Sequence, residues 1–282
     1  MNPKQQAICG IDAGGTLVKI AYRTEGSSDN RYLKFRSDRL SDAADWVKRE
    51  LTGAALCLTG GKAARLAELI GRGTTSMPEF EATCSGAKWL LQDRGIRLGS
   101  FLLTNVGTGT SIHYIGADRC SRIGGTGVGG GTIVGLSRLL TGVGDYEAIV
   151  ETAKAGDRSY ADLKVSHIYE GSVPPINGDL TASNFGRVPA GEDSLPTPIR
   201  EADALASVIG MVGETVATVS VHAAGQHGTS DVVYIGSSFY GNEPLRQAVE
   251  SYTRFRGGEP YFPHAGEYSG AVGAMLSLIP KR

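Results

Sequence analysis

One local pattern occurs twice in this chain: a short apolar strand, a polar glycine turn and a second strand. Residues 8–20 read ICGIDAGGTLVKI and residues 101–116 read FLLTNVGTGTSIHYIG. Asp12, Ala13, Gly14, Gly15 and Thr16 correspond to Asn105, Val106, Gly107, Thr108, Gly109 and Thr110, with one extra residue in the second copy. A glycine turn after a strand offers backbone N–H groups to an anion, and the residues after the glycines decide the kind of site. A dinucleotide GxGxxG and a P-loop both open a helix. Here Leu17, Val18, Lys19 and Ile20 come next, a β-branched, apolar run with no cap before it, which is strand chemistry. The turn therefore closes a hairpin, and its N–H groups form an anion nest without a helix behind them. Gly14 and Gly15 allow positive φ and close approach, and Thr16 adds a hydroxyl. One such turn would as readily only join two strands. A pair of them points to two similar lobes facing each other across one nucleotide.

The remaining chain suits that plan. Its 282 residues make one large domain or two lobes. The formal net charge of −1 gives no basic field for nucleic acid. No uninterrupted apolar run reaches the length of a membrane span, and residues 1–12 lack the apolar core of a signal peptide. The four cysteines show no CxxC pair and no zinc-like spacing with the five histidines, so reduced, buried thiols in a cytoplasmic protein are expected. Strands are expected at 7–13, 17–23, 31–36, 54–61 and 231–239, besides the second hairpin. Helices are expected at 40–51, 62–71, 79–95, 202–228, 242–255 and 266–279. Residues 122–142, RIGGTGVGGGTIVGLSRLLTG, read as a loop running into a helix. After a helix near 145, the stretch to 200 reads as a long ordered excursion.

The paired hairpins resemble the actin/hexokinase/acetate-kinase superfamily, whose halves are each built on an RNase H-like sheet. That resemblance implies an α/β fold with an N-terminal lobe over 1–103, a C-terminal lobe over 104–282 and ATP in the cleft. VVYIGSSF sits where that superfamily places its adenosine-contacting strand and turn. The likeness narrows further. GIDAGGTLVKI, LTGG, PEFEA, NVGTGTSIHYI, RIGGTGVGGGTI, DRSYADLKVSHIY, GDLTASNFG and VYIGSSF occur in one order and resemble the type II pantothenate kinases over nearly the whole chain. The implied reaction is ATP-dependent phosphorylation of pantothenate to 4′-phosphopantothenate, the first step toward coenzyme A, in a homodimer using Mg²⁺. PEFEA and GDLTASNFG favour this over another small-molecule kinase of the superfamily, such as an N-acetylhexosamine kinase. Retention of Asp12, Glu79 and Arg122 argues against a non-catalytic ATP-binding regulator.

A carboxylate beside bound phosphates needs a cation between them, so Asp12 is assigned to Mg²⁺, through water; an Asx turn is its structural alternative. Glu79 and Glu81 both stand in a helix's first turn, where acids also serve the dipole, and the residues alone do not choose between them. The resemblance implies Glu79 as general base. It also implies Arg122 as a substrate and transition-state residue. Nucleotide contacts are expected from residues 12–19, from Gly107, Thr108 and Gly109, and from Gly129, Gly130, Gly131 and Thr132 at a helix start. Within the first set, Lys19 is equally well an exposed strand residue. Tyr146 and Ser237 match ATP contacts of the family. Thr181 matches a pantothenate contact, its alternative being a helix cap. Tyr252 is expected to reach a neighbouring subunit's site. The histidines are scattered and carry no expected ligand role.

Overall fold

The computed structural model describes residues 6–117, 119–169, 171–188 and 199–280. In chain order the first part runs β1 (Ile8–Ala13), β2 (Leu17–Arg23), β3 (Arg31–Arg36), α1 (Leu40–Glu50), β4 (Ala55–Thr59), α2 (Ala63–Ile70), β5 (Thr75–Ser76) and α3 (Glu79–Asp93). It continues with β6 (Phe101–Val106), β7 (Thr110–Ile115), β8 (Cys120–Thr126), α4 (Gly130–Thr141), α5 (Tyr146–Ala153), β9 (Leu163–Lys164), α6 (Val165–Tyr169) and β10 (Thr181–Ser183). The last part is α7 (Glu201–Gln226), β11 (Asp231–Ile235), α8 (Glu243–Phe255), β12 (Glu259–Tyr261) and α9 (Ser269–Leu276).

The duplication seen in the turns extends to whole sheets. The first is ordered β3-β2-β1-β4-β5 and the second β8-β7-β6-β11-β12. In each, a three-stranded antiparallel meander continues into two parallel strands. Alternation along the strands sorts the layers. Ile11, Val18 and Leu58 face α1 and α2, while Gly10 and Asp12 turn toward α9. In the second sheet Leu102, Ile112 and Tyr234 face α4, α5, α7 and α8. Leu103, Ile115 and Val233 face Cys84, Ala87 and Leu91 of α3. Helices α3 and α9 thus fill the space between the two sheets. They cross so closely that a Cβ on Gly86 or Gly273 would overlap the other helix's backbone at Ser269 or Ala82. The closing helix α9 comes last in the chain, yet it packs on the first sheet.

Two expectations about the strands change. Residues 120–126 form an edge strand rather than a loop, because β7 offers a full ladder and glycine suits the contact: a Cβ on Gly125 would lie 2.7 Å from the Thr110 carbonyl. Strands β5 and β12 went unread, being two and three residues long, the latter with Pro260 on a sheet edge. The expected excursion is anchored by β9 paired to β10, while residues 189–198 fall outside those described. Helix α7 is long and apolar enough to span a membrane, but 67% of its most apolar window is buried in the second core.

Candidate active site

The two glycine turns meet. Thr16 Oγ1 lies 3.0 Å from Thr108 Oγ1, joining hairpins that are 92 residues apart. In the first turn Gly14 N–H donates to the Leu17 carbonyl, Ser37 Oγ donates to the Gly14 carbonyl and Lys62 N–H to the Ala13 carbonyl. Positive φ is not needed there: neither Gly14 nor Gly15 adopts it. Gly15 instead leaves open space where a side chain would stand. Ala13 and Val18 point into the core, so their contribution to a ligand is backbone, and Leu17 is half-buried beside them.

The second turn is braced from behind. Gly130 and Gly131 N–H, at the start of α4, donate to the Gly107 and Thr108 carbonyls, and Ser238 Oγ also donates to the Gly107 carbonyl. A Cβ on Gly129, Gly130 or Gly131 would come within 3.0 Å of Gly109, Gly107 or Thr108, so these glycines let the helix start press on the turn. Thr132 Oγ1 donates to the Gly127 carbonyl and accepts from Gly129 N–H. Two of the N–H groups expected to face an anion are therefore spent holding the loop that faces it.

Asp12 sits between the lobes' turns and α9. In register it pairs with Lys19 on β2 and Thr59 on β4. Lys19 Nζ is 3.8 Å from Asp12 Oδ2, which settles Lys19 as an inward-facing residue. Burial raises the Asp12 pKa, Lys19 opposes the rise and the nearby Glu79 charge adds to it. Asp12 Oδ1 and Thr59 Oγ1 are both buried without a hydrogen-bond partner among the described residues. Carbon on either side is held off: a Cβ on Gly60 or Gly270 would lie 2.8 or 2.9 Å from the carboxylate. A carboxylate oxygen and a hydroxyl, both unsatisfied in one buried cradle, are the hard oxygen donors that a hydrated Mg²⁺ fits.

Glu79 is the first residue of α3, comes directly after Pro78, and is exposed, as is Glu81. Phe80 packs on His113 of β7 with ring centroids 5.0 Å apart. His113 is in register with Arg122 of β8, so both project from the α3 side of the second sheet. Phe80, the residue after Glu79, and Arg122 thus both lie beside one imidazole. His113 is 1% exposed, its Nδ1 has no partner, and burial, then the Arg122 charge, lowers its pKa to about 4. It stays neutral and adds no second positive charge. Sequence reading passed over His113, because its neighbours come from other elements. The expectation of free thiols is corrected at two of the four positions: Cys9 and Cys57 are buried free thiols, while Cys84 of α3 and Cys120 of β8 are joined as a disulfide. The folding of β8 across α3 pairs them, a proximity that residues 36 apart in sequence do not advertise.

The loop after β11 supplies a third wall. Tyr146 O–H donates to the Ser238 carbonyl at 2.5 Å and accepts from Asn242 Nδ2 at 2.8 Å, pinning α5 to the turn that carries Ser237. A cavity of about 310 Å³ opens beside it, lined by Gly236, Phe239, Tyr240, Arg246 and Phe262. Lys34 of the first sheet lies 3.5 Å over the Tyr240 ring.

Thr181 and Tyr252 form a separate group. Tyr252 O–H donates to Thr181 Oγ1, which donates to Glu214 Oε1 at 2.8 Å. Arg158 and Asn184 also donate to Glu214. Thr181 lies in a strand, not at a helix start. The group stands on α7 and α8, across the second sheet from α3. The structure brings the two turns together, sets the Lys19 and Glu79 charges near Asp12, places Arg122 beside His113, and leaves Thr181 and Tyr252 across the second sheet. Glu214 went unread, although a lone carboxylate amid the small apolar residues of α7 was a usable signal.

Two sheets of repeated topology, with paired turns at their junction, define a two-lobed nucleotide-site fold of the actin/hexokinase type. Solved structures share it. Component A of (R)-2-hydroxyglutaryl-CoA dehydratase from Acidaminococcus fermentans covers 97% of both chains at TM-score 0.62 and 14% identity. A ROK family protein from Streptococcus pneumoniae covers 96% of this chain and 97% of its own at TM-score 0.55 and 16% identity. These likenesses speak for the fold alone. Sequence goes further: the Fumble family matches residues 97–277. The type II pantothenate kinase of Staphylococcus saprophyticus is 43% identical over 266 residues, 94% of this chain and 98% of that one. That of Bacillus thuringiensis is 41% identical over 279 residues, 98% and 99% of the two chains. The chain belongs to the type II pantothenate kinase family.

Proposed function

We propose that this protein transfers the γ-phosphoryl group of ATP to the primary hydroxyl of pantothenate, giving 4′-phosphopantothenate, as a cytoplasmic homodimer in coenzyme A biosynthesis. The observation that carries the reading is the contact between Thr16 and Thr108, which brings the two glycine turns together close to the buried Asp12 carboxylate, on which the Glu79 charge acts. Phosphoryl transfer asks chiefly for positioning and charge neutralisation. The turns at 13–16 and 107–109 hold the phosphates through backbone N–H and threonine hydroxyls. Asp12, with Thr59 beside it and Lys19 balancing the carboxylate, would hold Mg²⁺, which would neutralise phosphate charge. Ser237 and Tyr146 order the wall that receives the adenosine. Glu79 accepts the proton of the attacking hydroxyl. Arg122 faces the charge that develops on the transferred group. Thr181 and Tyr252 contact pantothenate in the site of the neighbouring subunit.

The test is ADP release from MgATP with pantothenate, and separately with N-acetylglucosamine. Turnover is expected with pantothenate only, and Glu79→Ala is expected to cost roughly 10²–10⁴-fold in kcat with ATP binding retained. Absence of pantothenate turnover overturns the substrate; a near-normal rate for Glu79→Ala moves the base elsewhere.

A further inference from the structure

Two cysteines flank the catalytic pair and have no part in the phosphoryl transfer itself. Cys84 lies on α3 five residues after Glu79, and Cys120 opens β8 two residues before Arg122. Their Cα atoms are 6.6 Å apart and their sulfurs are bonded. That separation is within a disulfide's span. The two differ in access: Cys84 is 3% exposed, whereas Cys120 faces solvent. Their sulfurs and a ring nitrogen of His113 lie within 4.8 Å of one another. The other two cysteines, Cys9 and Cys57, are buried free thiols.

We propose that Cys84 and Cys120 form a reversible thiol–disulfide switch that sets how firmly the Arg122 strand is held against α3, the helix that begins at Glu79. The proposal rests on the pantothenate kinase reading for its effect on substrate, though not for its chemistry. Among the described residues strand β8 is the edge of its sheet, joined to β7 alone, and its ladder is irregular between Ile112 and His113, beside the Arg122 position. It also contains Gly124 and Gly125, which add no side-chain packing. The cystine is its covalent tie to α3. With the bond closed, the arginine and the glutamate hang from one crosspiece. With it open, Arg122 depends on the hydrogen bonds of a glycine-rich edge. Disulfides in cytoplasmic proteins are commonly of this transient kind.

Access assigns the order of steps, with a small-molecule disulfide as oxidant. The exposed Cys120 thiolate attacks one sulfur of the oxidant, breaks its S–S bond and expels one small thiolate. Cys84 then loses its proton and attacks the Cys120 sulfur of the mixed disulfide, expelling the second thiolate. The two cysteine protons end on the two released thiols. The protein gives up two electrons, the oxidant takes two, and a dithiol reductant reverses the sequence.

The experiment takes the full chain through dithiothreitol and then through cystamine, with three readouts. Intact mass and peptide mapping are expected to show loss of two hydrogens localised to Cys84–Cys120, reversed by dithiothreitol. Amide hydrogen exchange in β8 is expected to speed up on reduction. The kcat/KM for pantothenate is expected to fall about tenfold on reduction, the scale of a small misplacement of Arg122, with the KM for ATP unchanged. The double variant Cys84→Ala/Cys120→Ala should show the reduced values in both buffers. A stable mixed disulfide at Cys120 overturns the switch, as does one zinc ion held through both thiols that blocks their oxidation. Equal β8 exchange in both states overturns it too. Normal disulfide chemistry and exchange without pantothenate turnover would sink the substrate reading instead.

Discussion

Unsatisfied buried atoms are the most informative residues here. Thr59 Oγ1 and Asp12 Oδ1 face the same cradle with no protein partner. A hydroxyl kept there for folding alone would be a net cost, so removing it separates folding from function. Thr59→Val is expected to stabilise the protein by about 1 kcal/mol while raising the Mg²⁺ concentration needed for half-maximal activity. Thermal unfolding without ligands and a Mg²⁺ titration of rate read the two effects; a destabilised variant with unchanged Mg²⁺ demand would return Thr59 to a packing role. His113 gives a second test. Its pKa is 6.5 in an unfolded chain and about 4 in place, so between those values the unfolded chain binds more protons. Its contribution to stability is complete above about pH 6.5 and is lost as pH falls toward 4. The unfolding midpoint of His113→Gln should therefore fall less between pH 7 and pH 5 than that of the wild type. Asp12 and the glycine turns were legible in sequence because each is a local pattern, whereas the choice of Glu79 over Glu81 came only from the family resemblance. Thr59 and His113 were not, since a threonine ending a strand and a single histidine acquire meaning only from β1 and Arg122 lying beside them.

At the scale of elements, α3 and α9 make the site possible. One carries Glu79 at its start, and the other brings Gly270 against the Asp12 carboxylate. Their crossing is set by Gly86 and Gly273, each facing backbone of the other helix. Gly273→Ala puts a methyl group into the Ala82 carbonyl, and backbone cannot step aside as a flexible side chain would. A loss of about 1–3 kcal/mol is expected, together with a fall in kcat in the protein that remains folded, because Glu79 and Asp12 move apart. Chemical denaturation and rates on the folded fraction measure the two effects. Gly225→Ala, where a Cβ meets nothing within 4 Å, serves as the helix-glycine control. Both helices could be read from their periodicity, but their crossing could not: small residues look alike whether they line a crossing or merely dilute a helix. The same limit explains β8. Its glycines suggested a loop, and only the presence of β7 makes them a strand.

At the scale of the whole molecule, the second sheet divides the expected substrate residues. Glu79 and Arg122 stand on its α3 side, whereas Thr181 and Tyr252 stand with α7 and α8 on the other. If all four serve pantothenate, two subunits must share each site, and that arrangement has an arithmetic signature. In a two-fold dimer formed from Glu79→Ala and Tyr252→Phe chains, one site collects both lesions and the other collects neither. Random pairing makes half the dimers mixed, so a 1:1 co-refolded mixture should recover about one quarter of wild-type activity. The two variants assayed separately and averaged should fall well short of that. If each site instead draws on a single subunit, every site in the mixed dimer carries one lesion and mixing gains nothing. Phenylalanine keeps the ring's packing beside the second core and removes only the hydroxyl that bonds Thr181. A recovery of activity on mixing therefore reports the geometry of sharing and not the rescue of an unfolded chain.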